Sequence, residues 1–442
     1  MKLGLIAMSG LRAYDQALME LGLTLPGFVE RKKVIASLPS LGLLTLAGIT
    51  DPQVRTKYIE LNDFDEASDV PEEFDVVAIS SFTAQINAAY ILADKYKKLG
   101  TKVVLGGLHV TSLPEEALLH ADTVILGEGE VYWEEMIYDL LHGRLKKVYD
   151  ARNKEFDLER LILPGFELLD PQRYNRLTVQ TQRGCPYRCE FCASSIALTK
   201  KYKVKPIQNV IKEIETIKSI WNNPFIELAD DNTFANKSHG RELAKGLSKL
   251  DIKWFTETDV SVADDEELLS ILSDSGCRQL LIGFESPVAT GLDNVELRTN
   301  WKKRQVDRYK EAIYRIQRRG ISVNGCFVLG LDGHDKSIFS KTHEFVIDSN
   351  LAEVQITLQT PFPGTPLYQR LKTDNRLLAK EFWDKCTLFD INYVPSEMPL
   401  GELDAGFKSL MQELYSDSQV KQRKAHFIKQ AKEFMRIPAN PQ

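Results

Sequence analysis

The 442-residue chain lacks the features that mark several classes of protein. It has no run of about 18 or more apolar residues, so we expect no membrane-spanning helix. Its net charge is only −6 and no basic stripe is present, so nothing predicts nucleic-acid binding. The apolar start, Met1–Ala7, is too short for a typical signal peptide and is interpreted as a buried first strand.

Cysteine is also scarce, with six residues in the whole chain. A long chain with so few cysteines does not predict a disulfide scaffold. Three of them crowd between positions 185 and 192, whereas Cys277, Cys326 and Cys386 are scattered. This distribution fits a metal site in a reducing cytoplasm. Cys277 and Cys326 are interpreted as small buried residues.

Residues 1–145 predict a doubly wound, Rossmann-like α/β domain, because short β-branched runs alternate with helical patterns. The predicted strands of this domain are Lys2–Ala7, Lys57–Leu61, Asp75–Ile79, Lys102–Leu105 and Thr123–Leu126. Its predicted helices are Leu41–Ile49, Asn87–Leu99 and Trp133–Leu141. The stretch from Met8 to Leu38 is longer than a simple loop, and either shapes a substrate pocket or packs against the domain.

Residues 146–175 are predicted to be a linker, and a second alternating series occupies residues 176–365. Six β/α units predict a partial barrel of the TIM type, in which chemistry lies at the carboxyl ends of the strands. The predicted strands begin with Leu177–Thr181 and end with Glu353–Leu358. Residues 366–442 are predicted to form a helical extension. Its basic stretch, Lys421–Lys432, is interpreted as a solvated amphipathic helix, with a membrane-surface helix as the alternative.

The crowded cysteines, Cys185, Cys189 and Cys192, have the spacing Cys-x3-Cys-x2-Cys and follow the first barrel strand. Thiolates are soft ligands that suit zinc and iron–sulfur clusters. A structural zinc site needs a fourth ligand at short spacing, but the next histidine is His239 and the next cysteine is Cys277. Three ligands on one loop would leave one iron of a 4Fe–4S cluster open.

This spacing, with the aromatic Phe191 before the last cysteine, resembles the radical S-adenosylmethionine superfamily. The resemblance implies a 4Fe–4S cluster whose open iron binds S-adenosylmethionine and generates a 5′-deoxyadenosyl radical. It also implies cofactor contacts after the second strand at Asp230 or Asp231, and after the fourth at Glu285 and Ser286. Gly325 on the fifth strand would border the adenine. A carboxylate at a strand end can instead be a helix cap or a solvated charge.

Two glycine-containing segments of the first domain, 104–116 and 121–130, resemble the cobalamin-binding domain fused ahead of many radical S-adenosylmethionine enzymes. The resemblance covers roughly residues 2–390. Fold alone does not establish function, so the alternative is a domain that keeps the fold without the ligand. The Asp-x-His-x-x-Gly motif of some corrinoid proteins is absent, so no histidine of that motif would hold cobalt.

The small and polar residues after the predicted strands of this domain are the candidate cobalamin contacts. Hydroxyls would bind the nucleotide tail of cobalamin, and glycines would leave room for it. The loop after the predicted strand Thr123–Leu126 would border the edge of the corrin ring. These candidates are Ser80, Ser81, Thr83, Gly106, Gly107, Gly127, Glu128 and Gly129. His109 either touches cobalamin or satisfies a loop carbonyl.

The resemblance implies a cobalamin-dependent methyltransferase that acts on an unactivated carbon. The alternatives are a cobalamin enzyme that performs cyclisation, oxidation or rearrangement, and a radical enzyme that has lost cobalamin. A small-molecule or biosynthetic-intermediate substrate and an electron donor such as flavodoxin or ferredoxin are the expected partners. The sequence does not identify the substrate.

Overall fold

The computed structural model describes residues 1–9, 38–62, 64–194 and 201–436. The stretch from Met8 to Leu38 is predicted either to shape a substrate pocket or to pack against the domain. The greater part of it lies outside the described residues. None of the helices in the described ranges combines the length and the apolarity that crossing a bilayer requires.

The first sheet contains six parallel strands in the order β2-β1-β3-β4-β5-β6. This order belongs to the doubly wound class, as predicted. The strands are β1 Lys2–Met8, β2 Arg55–Leu61, β3 Val76–Ser81, β4 Lys102–Gly106, β5 Thr123–Leu126 and β6 Val148–Asp150. The connecting helices are α1 Leu41–Gly48, α2 Ile86–Lys98, α3 Leu108–Ser112, α4 Pro114–His120 and α5 Trp133–Leu141.

Alternate residues of these strands enter two separate apolar cores, one on each face of the sheet. On β3, for example, Val77 and Ile79 pack with Leu92 of α2, whereas Val76 packs with Trp133 of α5 on the opposite face. A parallel sheet covered by helices on both faces needs apolar residues at nearly every position. This requirement explains the continuous apolar runs in β3 and β4.

The second sheet also contains six parallel strands, and their order follows the chain without a switch. The strands are β7 Leu177–Val179, β10 Phe225–Leu228, β11 Lys253–Thr258, β12 Cys277–Glu285, β13 Ser322–Leu329 and β14 Glu353–Leu358. The helices between them are α6 Ile207–Ile220, α7 Lys237–Leu247, α8 Glu266–Asp274, α9 Tyr309–Gln317 and α10 Ile338–Asp348. In the described ranges β7 and β14 do not pair, so the predicted partial barrel is confirmed.

A short antiparallel hairpin interrupts the barrel after its first strand. Its strands are β8 Gln182–Arg183 and β9 Lys203–Val204, and the cysteine segment lies between them. The hairpin therefore fixes both ends of that segment.

Within the described residues, the C-terminal extension contains the α-helices α11 Pro366–Thr373, α12 Leu400–Leu414 and α13 Asp417–Arg436. Phe407 and Leu410 of α12 pack into the core of the barrel. Phe382 and Trp383, between α11 and α12, pack instead into the core of the first domain. The extension therefore contacts both sheets.

Candidate active site between two parallel sheets

One cavity of about 650 Å³ opens between the carboxyl ends of the two sheets. Its first wall comes from β3, β4 and the loop after β5, and its second wall comes from β7, β10 and the start of the cysteine segment. Leu388, Phe389 and Tyr415 of the C-terminal extension complete the lining. The volume lies within the range of small-molecule and cofactor pockets.

The first wall contains glycines that leave part of the cavity open. A Cβ at Gly106 would approach no neighbour more closely than 3.6 Å, and one at Gly129 none more closely than 3.8 Å. Packing therefore does not demand glycine at either position, and the space that a side chain would occupy belongs to the cavity. Ser80, Ser81 and Gly107 line the same wall. Open space beside two serine hydroxyls suits a large macrocycle with a polar tail.

The loop after β5 combines lining and structural roles. Gly127 has φ +80°, and a Cβ there would come within 2.9 Å of the Ala151 backbone, so this glycine is required by local packing. Glu128 also lines the cavity, but its carboxylate accepts hydrogen bonds from Phe156 N and from Lys203 Nζ, each at 2.7 Å. The Glu128 carboxylate, which is predicted to contact cobalamin, therefore already has hydrogen-bond partners within the protein.

Two further candidates of the first domain lie away from the cavity lining. Thr83 is buried at the start of a short 3-10 turn. His109 is buried in α3, where its Nε2 lies 3.1 Å from Glu116 Oε1 and its ring meets Trp383 edge-on at 5.2 Å. The structure thus places His109 where the C-terminal extension docks, and its predicted contact with cobalamin has no support from the cavity.

The three cysteine side chains lie near one another and carry no disulfide. Burial raises the pKa of the Cys185 thiol to about 11, although Asn232 Nδ2, 3.9 Å from its Sγ, acts in the opposite direction. In the described ranges no group of three Cys, His, Asp or Glu side chains is arranged to hold a single metal ion. A 4Fe–4S cluster does not require that arrangement, because each thiol binds a different iron. Three neighbouring thiols that form no disulfide therefore suit a 4Fe–4S cluster.

Asp230 and Asp231 have different environments, which the sequence does not distinguish. Asp230 is buried and accepts hydrogen bonds from Thr181 N at 2.7 Å, Gln182 N at 3.1 Å and Thr233 Oγ1 at 2.8 Å. Its carboxylate therefore anchors the chain just before the cysteine segment. Asp231 lines the cavity, and burial raises its pKa. Asp231 is thus the better candidate for a cofactor contact.

Glu285 ends β12 in a left-handed conformation with φ +63°. Its Oε1 lies 2.7 Å from Lys302 Nζ, which also donates to Gly283 O at 2.7 Å. A Cβ at Gly283 would come within 2.5 Å of the Glu285 carboxylate, so glycine makes room for this pair. Burial lowers the pKa of Lys302, but the Glu285 carboxylate outweighs it and holds that pKa above its ordinary value. Sequence reasoning missed both Lys302 and Asn232.

Ser286, Gly325 and Phe191 each contact other groups of the protein. The Ser286 hydroxyl lies 2.9 Å from His334 Nε2 and accepts a hydrogen bond from Val288 N. A Cβ at Gly325 would come within 2.9 Å of Leu351 in the apolar core, so this glycine serves packing. Phe191 is partly buried and packs against small apolar clusters beside the cysteine segment. The predicted cofactor contacts of these three residues remain predictions.

A network of four charged side chains connects the two walls. Arg183, which immediately precedes Gly184 and Cys185, pairs with Glu130 and lies 3.5 Å from Glu128. Lys203, on the other strand of the hairpin, lies 2.7 Å from Glu128. Burial raises the pKa of Glu130, but the Arg183 guanidinium outweighs burial and the net shift is downward. The hairpin that carries the cysteines is therefore fixed to the loop of the first domain.

Family comparisons match both halves of this architecture. The radical SAM superfamily matches residues 179–346, and the B12 binding domain matches residues 34–137. The chain belongs to the cobalamin-binding radical S-adenosylmethionine enzymes. Its cofactors are accordingly a 4Fe–4S cluster, S-adenosylmethionine and cobalamin. A domain of unknown function matches residues 365–440, the C-terminal extension.

Curated relatives of this radical enzyme include both methyltransferases and cyclases. Bacteriochlorophyllide d C-12(1)-methyltransferase of Chlorobaculum tepidum is 29% identical over 83% of this chain and 82% of that protein. The C-8(2)-methyltransferase of the same organism is 29% identical over 78% of each chain. Anaerobic magnesium-protoporphyrin IX monomethyl ester cyclase of Rubrivivax gelatinosus is 25% identical, over 75% of this chain and 63% of that protein. Methyl transfer is the better supported of the two predicted reaction classes.

Solved structures confirm the fold over nearly the whole chain. The radical S-adenosylmethionine methyltransferase TsrM from Kitasatospora setae, solved with cobalamin and a 4Fe–4S cluster, has a TM-score of 0.69 at 13% identity. The match covers 98% of this chain and 99% of TsrM. The cobalamin-dependent radical enzyme OxsB has a TM-score of 0.64 at 14% identity and covers 98% of this chain. The arrangement of two parallel sheets and a C-terminal extension is therefore shared.

Proposed function

We propose that this enzyme transfers a methyl group to a carbon atom of a small biosynthetic intermediate. The observation that carries the proposal is the shared cavity, because the carboxyl ends of both sheets contribute to its lining. When bound, the cluster with S-adenosylmethionine supplies a carbon-centred radical at one wall, and cobalamin supplies a transferable methyl group at the other. A substrate held in this cavity would meet both walls.

The roles assigned to the barrel follow from burial and pairing, and of these residues only Asp231 lines the cavity. Cys185, Cys189 and Cys192 hold the cluster, and Asp231 and Glu285 contact S-adenosylmethionine in this proposal. Lys302 is a positioning residue, since its ammonium group holds the Glu285 carboxylate at 2.7 Å. Removing that cation would leave a buried carboxylate unpaired, which is costly.

The roles assigned to the first wall depend mainly on space. Ser80 and Ser81 donate to the polar tail of cobalamin, while Gly106, Gly107 and Gly129 keep the wall open to the macrocycle. Two residues stabilise the loop after β5. Gly127 allows its turn, and the Glu128 carboxylate accepts hydrogen bonds from Phe156 and Lys203. The same loop borders the corrin edge in this proposal.

The lining also bears on the class of substrate. Leu41, Leu46, Leu388 and Phe389 add apolar surface to a cavity whose charges lie mainly near the cysteine segment. Such a lining supports a largely apolar substrate with few polar groups. Because both methyltransferases described above act on bacteriochlorophyllide d, this compound is the first substrate to test. An electron-carrier protein completes the proposed set of partners.

The experiment uses the full chain, reconstituted without oxygen with iron, sulfide and cobalamin. Dithionite supplies the electrons, and S-adenosylmethionine is labelled in its S-methyl group. Methyl transfer should place the label in the substrate and release both S-adenosylhomocysteine and 5′-deoxyadenosine. Cyclisation or rearrangement would release 5′-deoxyadenosine and leave the substrate unlabelled. That second outcome, in protein that retains both cofactors, would contradict methyl transfer.

A further inference from the structure

The cysteine segment is hydrogen-bonded to a surface segment at residues 293–304. Leu297 N donates to Arg188 O at 2.9 Å, and Glu190 N donates to Val295 O at 2.9 Å. Between these bonds Cys189 faces Glu296 in an antiparallel bridge. Arg188 directly precedes Cys189, so one hydrogen bond and a few covalent bonds separate the Leu297 backbone from the Cys189 thiol.

The exposed side chains of this contact and of the residues next to it include one leucine and three arginines. Leu297 is 46% exposed, and Arg188, Arg298 and Arg304 are exposed as well. Arg304 belongs to the same surface because its N–H donates to the carbonyl of Trp301, whose ring stacks on Tyr187 at 4.5 Å.

The acidic groups of this segment leave these three arginines unneutralised. Asp293 pairs with Lys303 at 3.0 Å. The Glu296 carboxylate is buried and accepts hydrogen bonds from Arg298 N and Thr299 N. In the described part of the chain no carboxylate forms an ion pair with the guanidinium groups of Arg188, Arg298 or Arg304. A local excess of positive charge stands out on a chain whose net charge is −6.

We propose that Arg188, Leu297, Arg298 and Arg304 form an entry surface that docks an acidic one-electron carrier protein. The inference rests on the proposed function, because a cluster that cleaves S-adenosylmethionine must be reduced by an external donor. One electron leaves the reduced flavin of the carrier, which is oxidised, and reduces the cluster by one electron, and no bond forms or breaks at the surface. Electron transfer weakens steeply with distance, so the short connection to Cys189 favours entry here. Opposite charges steer such small, transient encounters.

The test reverses three charges in the full, cluster-loaded chain by Arg188→Glu, Arg298→Glu and Arg304→Glu. Cluster reduction by flavodoxin hydroquinone is followed by stopped-flow absorbance at several salt concentrations. At low salt the second-order rate constant should fall at least about tenfold, since steering contributes factors of this size and larger. Its salt dependence should also weaken. Reduction by dithionite, a small reductant that needs no docking surface, should be unchanged.

The matched control applies the same charge change at the amino ends of the barrel strands, through Lys249→Glu, Lys253→Glu and Arg278→Glu. These three cations are exposed, and the control should leave reduction by flavodoxin unchanged. An unchanged rate in the first variant, or an equal loss in the control, would overturn the entry surface. If the triple variant fails to hold a cluster, Arg298→Glu alone is used, and calorimetry measures binding of oxidised flavodoxin to the full chain.

The two proposals fail in different ways. Neither flavodoxin binding nor cluster reduction requires substrate, so the absence of methylated product would leave the entry surface standing. Conversely, methyl transfer driven by dithionite, together with an unaffected flavodoxin rate in the variant, would reject the surface alone.

Discussion

The two walls of the cavity are built by opposite means. The first wall is built from glycines and hydroxyls, and Gly106 and Gly129 leave space that packing does not require. The second wall carries charged side chains, among them Arg183 and Asp231, while the three thiols and the Glu285–Lys302 pair lie outside the cavity lining. A large macrocycle is accommodated mainly by shape, whereas a cluster and a sulfonium ligand need specific donor atoms. Substitutions on the two walls should therefore have separable effects.

The largest expected effect comes from the thiols of the cysteine segment. Cys189→Ala removes one of the three proposed ligands, so the reconstituted protein should lose the visible absorbance and the paramagnetic signal of a 4Fe–4S cluster. Cobalamin binding, which we assign to the first wall, should persist. The matched control is Cys277→Ala, at the start of β12, which should keep the cluster signal. A Cys189→Ala protein with a normal cluster spectrum would refute the ligand assignment.

The next effect concerns the contact between the walls. Arg183→Gln leaves Glu130 buried without its principal cation, and breaking a buried pair in this way costs about 3–5 kcal/mol. Denaturant unfolding of the apoprotein should show this loss. The control pair, Arg160 and Glu134, has side chains that are 45% and 57% exposed. Arg160→Gln should cost no more than about 1 kcal/mol. Equal losses in the two variants would show that the walls do not depend on Arg183.

The smallest of the three effects is expected from filling the first wall. Gly106→Val fits β4 sterically but projects into the cavity, because the nearest neighbour of its Cβ is 3.6 Å away. We expect at least about tenfold weaker cobalamin binding, equivalent to about 1.4 kcal/mol, with an unchanged cluster signal. Gly401→Val, at an exposed position of α12, is the control. Unaltered cobalamin affinity in Gly106→Val would remove this glycine from the proposed wall.

Element type was largely predictable from the sequence, because buried parallel strands require continuous apolar runs. β5 and β14 match their predicted bounds, while β7 ends at Val179, two residues before its predicted end at Thr181. β6 lies within the predicted linker and pairs with β5. Its three residues have little pattern of their own, so their pairing depends on the neighbouring strand. Helices α3 and α4 were missed because each is short.

Candidate site residues were harder to predict, since the sequence shows strand ends but not side-chain partners. Asp230 and Asp231 are adjacent, yet one is enclosed by hydroxyl and backbone donors while the other faces the cavity. His109 follows a glycine pair that lines the cavity, but its ring points to Glu116 and Trp383. The sequence did not indicate Lys302 as a site residue, because its partner, Glu285, lies on another element.

The sequence by itself determined the two parallel sheets and the family and predicted the three cysteine ligands, because spacing and apolar periodicity are local properties. Only the tertiary structure decided which strand-end residues share a cavity and which are used up by internal hydrogen bonds. It also revealed the Arg183–Glu130 contact between the walls and the cationic surface around Leu297. These features join residues that are far apart in the chain, so they exist only after the sheets, the hairpin and the extension have packed together.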